Sequence, residues 1–274
     1  MSKFLSKVGD VIGEMITAVY ERVEKYDKFY LISMELGWPP ATNRMKYVEE
    51  SLRIVEEYER DGLDHVKGMI ESAMVKWHDK LYLKQMFRGW AKSSLLQPRL
   101  HILKAAMEAH FRGEYVLAIP ALLSQIEGVV VSGLGISGRM NYKKFESLIN
   151  SLLHEPIAIK GKNESLRRFV TGKFMAPFLH GQPIAASPSR HAILHGADLH
   201  YGSEANSLKL ILLMENIRQL FRFEAIEGGR LFHVYGCPSL ISSKKKRIFF
   251  SNVMEPTRAG FIACKRCGAG RYLW

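Results

Sequence analysis

The sequence predicts an all-α fold: a helical bundle with extra N-terminal helices, followed by a small basic C-terminal appendage that carries short β-prone runs. Two observations predict the bundle. Apolar residues recur at intervals of three and four through most of the first 220 residues, and those periodic stretches are separated by short breaks rich in glycine and proline. A third predicts the appendage: beyond Arg222 the periodicity gives way to LFHVYG, RIFFSNV and AGFIAC, set among Gly, Ser and Lys. With 274 residues and 47% hydrophobic composition, the chain can bury the core of one large domain, or of a main domain with an appendage.

In chain order, VGDVIGEMITAVYERVEKYDKFYLISMEL reads as a first helix, stopped by Gly37, Trp38, Pro39 and Pro40. MKYVEESLRIVEEYERDG and HVKGMIESAMVKWHDKLYL read as the next two and complete an N-terminal helical region, residues 1–92. The helical core, residues 93–222, begins with LQPRLHILKAAMEAHF and YVLAIPALLSQIEGVVV. After a break from Gly133 to Gly138, GKNES starts a helix through SLRRFVTGKFMAPFL, and SEANSLKLILLMENIRQLF closes the core. Residues 223–274 form the appendage. No internal repeat or low-complexity tract interrupts this order.

Lys and Arg number 39 against 27 Asp and Glu, a net charge of +12 that favours a polyanionic partner. Nine basic and three acidic residues fall between Phe223 and Trp274, so half of the excess lies in the last fifth of the chain. Three cysteines cannot build a disulfide framework, and MSKFLSKVGDVIGEM breaks its apolar run too early for a secretory signal, so a cytoplasmic location is expected. The most apolar stretch, YVLAIPALLSQIEGVVVSGLG, contains Pro120 and Glu127 and reads as a buried helix instead of a membrane span.

The segment SPSRHAILHGADLHYGSEANSLKLILLMENI places Arg190, His191, His195 and His200 within eleven residues. Ser187 and Pro188 read as a helix start, a side-chain oxygen for free amides followed by a ring pre-set to helical φ. RHAILH then forms a short helical turn, Gly196 ends or bends it, and ADLHYG leads into the last core helix. A polar cluster at a helix terminus can present side chains and backbone amides to solvent together.

This segment resembles the HEPN superfamily, compact α-helical proteins whose RNase members carry Arg, usually a polar residue, three to five more, then His: here Arg190, His191, Ala192, Ile193, Leu194, His195. AIPALLSQIEGVV upstream, SRHAILHG and a Tyr-containing loop leading into NSLKLILLMENI resemble HEPN proteins of the abortive-infection type, over roughly residues 95 to 222. The resemblance implies an endoribonuclease that works without a metal, in phage defence or as a toxin. It implies a homodimer with two Arg and His pairs meeting across a two-fold axis, here through residues 187 to 201. An antitoxin or sensor protein is a further partner compatible with it. A HEPN module without catalysis, binding RNA, a nucleotide or a partner protein, is the alternative.

The residue types suit the chemistry. RNA is cut without metal when a base helps the 2′-hydroxyl attack the adjacent phosphorus, an acid protonates the leaving 5′-oxygen, and a cation stabilises the added charge, leaving a cyclic phosphate. Histidine titrates near neutrality, which assigns His195 to proton transfer. Arginine stays charged and forks onto phosphate oxygens, which assigns Arg190 to phosphate. Five residues along a straight helix turn through about 140 degrees, so these two side chains diverge and one chain supplies half a site. Arg60 and His65 satisfy the same spacing, but they lie among Glu56, Glu57, Glu59, Asp61 and Asp64, whose field repels phosphate.

Supporting positions are His191, Glu127, Tyr201 and Asn206. Glu127 is an acid in an apolar helix and needs a partner: it can hold Arg190 or a histidine, or cap Gly128 and the loop beyond. Tyr201 and Asn206 can line the site or hold its loop. His191 and His195 at i and i+4 could share a metal, but Ala192 stands where a metalloprotease has glutamate. GLGISG fits a dinucleotide pattern formally, yet it follows a helical stretch, and Glu155 precedes the apolar run PIAI where the pattern needs it to end a strand, so it reads as a loop. Cys264 and Cys267 have zinc-knuckle spacing that His233 and Cys237 could complete; the alternative is a surface turn with two reduced thiols. Lys244, Lys245, Lys246 and Arg247, followed by Phe249 and Phe250, combine phosphate-binding charge with stacking faces for RNA, or form a solvated basic loop. No amphipathic helix in the tail supports membrane attachment.

Overall fold

The computed structural model describes residues 2–42, 46–138, 140–153, 160–184, 187–235, 237–241 and 243–273. It is mostly helical. Helices α1 (Ser2–Glu35), α2 (Val48–Asp61), α3 (Leu63–Trp77) and α4 (Lys80–Ala91) form the N-terminal part. They are followed by α5 (Leu100–Phe111), α6 (Tyr115–Gly133), α7 (Tyr142–Leu153), α8 (Lys160–Phe169), α9 (Arg190–Leu194) and α10 (Glu204–Leu220). The C-terminal part holds β1 (Phe223–Ile226), β2 (Leu231–Val234), α11 (Pro238–Ile241), β3 (Arg247–Phe250), α12 (Met254–Arg258) and β4 (Ile262–Ala263).

Helix α1 ends where Gly37 takes the left-handed conformation, φ 78°. The Trp38 amide then reaches the Ser33 carbonyl and the Gly37 amide reaches Met34, a hydrogen-bond pair that closes the last turn and that a side chain at Gly37 would strain. The stretch read as one helix over HVKGMIESAMVKWHDKLYL is two. His78 leaves helical geometry, and the Asp79 carboxylate accepts from the Tyr82 amide at 2.8 Å, capping α4. Helix α7, which the sequence reading passed over, carries Phe145, Leu148, Ile149, Leu152 and Leu153 on one buried face.

The core is shared across the helical body. Helix α6 packs against both α5 and α10, α1 packs against α2 and α8, and α2 packs against α3. By length and composition α6 could cross a membrane, with a mean hydropathy of 1.7, but half of that window is buried inside the protein. Polar bonds tie distant elements: Trp90 Nε1 donates to the buried Glu215 carboxylate at 2.8 Å, and Arg218 and Gln219 satisfy the same carboxylate.

The appendage contains a four-stranded sheet of order β3-β1-β2-β4; β1 runs antiparallel to β2 and β3, and β2 runs parallel to β4. Strand β1, FEAI, carries Glu224 in its buried centre, where Arg247 on β3 approaches it at 3.0 Å. The sheet follows α10 almost at once. Phe221, fully buried, lies between the two parts, touching Tyr272 edge to face and lying over Gly133 at the end of α6. Glu155 lies outside the described residues.

Candidate functional site

The site assembles where α9 crosses α6. Ser189, and not Ser187, caps α9: its hydroxyl accepts from the Ala192 amide at 3.3 Å and donates to the Ala176 carbonyl at 2.9 Å. Ser187 instead accepts from Asn206 Nδ2 at 2.9 Å. Gly196, φ 72°, ends the turn, and the amides of Ala197 and Asp198 both reach back to the Ala192 carbonyl. The Asp198 carboxylate accepts from the His200 amide at 2.9 Å, folding the ADLH loop over its own backbone.

Tyr201 and Asn206 hold this loop. The Tyr201 hydroxyl donates to the Val116 carbonyl at 3.2 Å, and Asn206 Nδ2 bridges Ser187 and the Tyr201 carbonyl. Between them Gly202 lies so close to α6 that a Cβ there would fall 2.5 Å from Val116 Cγ1.

Of the roles left open for Glu127, the structure shows the pairing with Arg190: Nη2 lies 2.8 Å from Oε2, and both side chains are about three-quarters buried. Arg190 Nε is buried and has no hydrogen-bond partner among the described residues. The guanidinium is therefore held at one edge by a carboxylate on a core helix.

His191 and His195 stack nearly parallel, ring centres 6.2 Å apart and planes 12° apart. His195 also stacks on Phe178 at 5.9 Å, and Phe178 meets His180 edge to face at 4.9 Å. These four rings with Met175 and Pro177 line an open pocket of about 460 Å³. Burial holds the His191 imidazole below its ordinary value of 6.5, with the Arg190 and His195 charges acting in the same direction against Glu127. The same burial favours the neutral imidazole, the form that accepts a proton. Arg190 faces Glu127 while the histidines face the pocket, the divergence expected from helical rotation. The aromatic wall from the Met175 to His180 segment was not read from the sequence, because its stacking depends on the turn that follows Phe174.

The Arg60 and His65 copy is neutralised as its neighbours predict: Arg60 pairs with Glu57 and Asp61, and His65 approaches Glu57 at 3.1 Å. In the appendage Lys244 and Lys245 are exposed and Lys246 reaches Glu227 at 3.2 Å. Arg247 is turned inward, to Glu224 and to the Leu240 carbonyl at 2.7 Å. Phe249 is exposed while Phe250 packs edge to face on Phe261. His233, Cys237, Cys264 and Cys267 are all buried and close together, a set that could hold a metal ion.

No family model, curated protein or solved structure matches this chain.

Proposed function

We propose that the protein is a metal-independent endoribonuclease of the HEPN type, cutting single-stranded or loop RNA to a cyclic phosphate in phage defence or as a toxin. The observation that carries this reading is the arginine fixed by Glu127 beside a parallel pair of imidazoles that opens onto an aromatic pocket. Arg190, oriented at one edge by Glu127, offers its remaining donors to a phosphate. His191, whose burial favours the neutral form, accepts the 2′-hydroxyl proton; His195 delivers a proton to the leaving 5′-oxygen. Phe178 gives an unpaired base a stacking face.

The divergence of Arg190 from the pocket supports a homodimer in which a second copy's arginine completes each site. Leu194 and Leu199, exposed on α9 and the loop after it, and Val116 and Leu117, exposed at the start of α6, would supply apolar area for such an interface. The exposed Lys244 and Lys245 would add salt-dependent RNA affinity, and an antitoxin or sensor protein would meet the same face. The reaction uses no metal. Zinc at the His233 cluster would serve the fold of the appendage.

The test is cleavage of a mixed-sequence labelled RNA, with EDTA added at the start of the assay, by wild type, Arg190→Ala and His195→Ala proteins. Cleavage by wild type alone is the expected result; activity indifferent to His195→Ala sinks the reading. The pairing of Arg190 with Glu127 also suits a module that binds RNA, a nucleotide or a protein without catalysis. RNA binding by all three proteins with cleavage by none selects that reading.

A further inference from the structure

We infer that His233, Cys237, Cys264 and Cys267 bind one zinc ion that builds the appendage. The inference is independent of the nuclease reading and uses none of its residues. The four side chains come from three places: β2 gives His233, the turn after it Cys237, and the turn after β4 both remaining cysteines. One ligand atom from each lies within 4.8 Å of all the others, and every one of the four residues is at most 5% exposed.

The dimensions suit a single ion. Zn–S bonds of about 2.3 Å and Zn–N bonds of about 2.0 to 2.1 Å imply a tetrahedron with edges of roughly 3.4 to 3.8 Å. His233 Nδ1 already lies 3.3 Å from Cys237 Sγ, so small rotations of the more distant thiols close the set. Three thiolates and one imidazole in a closed, buried tetrahedron select zinc over hard cations, and no position is left for a reacting water.

The surrounding backbone is arranged for thiolates. The Val234 amide points at Cys267 Sγ, 3.4 Å away, and the amides of Arg266 and Cys267 donate to the Cys264 sulfur. Gly268, φ 63°, lets the chain reverse so that the Ala269 amide bonds the Cys264 carbonyl at 3.2 Å. Three thiolates and Zn²⁺ leave one negative charge, which the exposed Lys265 and Arg266 between the cysteines offset.

The sheet needs such a clamp. Strand β4 has two residues and pairs with β2 through two positions, and none of the three cysteines is disulfide-bonded. An ion bridging the turns that follow β2 and β4 fixes both strands at the point where their pairing ends, and its binding energy is folding energy.

The experiment uses the full chain purified without chelator, with metal content measured by mass spectrometry and tetrahedral thiolate coordination read from the visible spectrum after cobalt exchange. One zinc per chain, lost in Cys264→Ser and His233→Ala and retained in the four-thiolate variant His233→Cys, is the expected result. Retention in His233→Cys reads metal binding even where Cys264→Ser fails to fold. A folded, metal-free protein that takes up neither zinc nor cobalt overturns the inference. So does a Cys264–Cys267 disulfide in the fresh preparation, and iron in the place of zinc overturns the choice of ion. None of these readouts involves RNA, so failure here and failure of the nuclease reading are distinguishable.

Discussion

Glu127 has two effects that separate in experiment. As the anchor of Arg190 it positions a guanidinium without touching substrate, so Glu127→Gln should lower the cleavage rate about 10- to 100-fold while leaving RNA affinity nearly intact, read as a fall in kcat at similar KM. As half of a three-quarters buried ion pair it also contributes to stability: Glu127→Ala should cost about 1 to 2 kcal/mol in urea unfolding, less than a fully buried pair would. Arg190→Lys should not restore cleavage, since an ammonium cannot hold Glu127 and fork onto phosphate together. At this scale the sequence was partly legible. That Glu127 needs a partner followed from its apolar helix, but which partner depended on where α9 crosses α6, a tertiary fact. The cap of α9 shows the same limit: Ser187, followed by Pro188, carries the helix-start signature, yet its hydroxyl accepts from Asn206 while Ser189 caps the helix.

Among elements, periodicity served well wherever apolar residues recur at helical spacing without interruption, as in α2, α5, α6 and α10. It failed where a cap interrupts continuous periodicity, as at Asp79 between α3 and α4. It would have found α7, since Phe145, Leu148, Ile149 and Leu152 keep helical spacing. Strand β1 was hidden because FEAI carries a charge at its centre, acceptable only because Arg247 meets it from β3, which begins more than twenty residues later. The junction between the two parts yields a prediction of its own. A Cβ at Gly133 would lie 2.6 to 2.7 Å from three atoms of the fully buried Phe221 ring. Alanine gains about 1 kcal/mol of helix propensity there, but displacing the ring costs about 1 to 3 kcal/mol, so Gly133→Ala should destabilise, with the loss appearing first in hydrogen exchange of the strands.

The whole molecule should weaken in acid through two buried imidazoles outside the site. His78 donates from Nδ1 to the Met74 carbonyl at 2.7 Å and accepts at Nε2 from the Thr42 amide at 3.2 Å, an arrangement that only the neutral ring can make. His110 bonds Ser207 at 2.9 Å between α5 and α10. Burial pushes both down to about 4 from an ordinary 6.5. The unfolded chain therefore takes up these protons first: the stability is in place above pH 6.5 and is lost as pH falls from 6.5 through about 4, roughly 3 kcal/mol for each ring. Urea midpoints at pH 7, 5.5 and 4.5 measure it, and an unchanged midpoint across that range would contradict the assignment. The long bonds across the body carry a consequence for synthesis. Trp90 waits for Glu215, Tyr30 for Ser165 and Pro40 for Asn216, partners 125 to 176 residues further along the chain. A ribosome adding about 5 to 20 residues per second needs on the order of ten seconds to supply them. Through that interval the nascent chain displays the tryptophan-rich faces of its first helices to the cell, a window in which chaperones would engage it before the last core helix emerges.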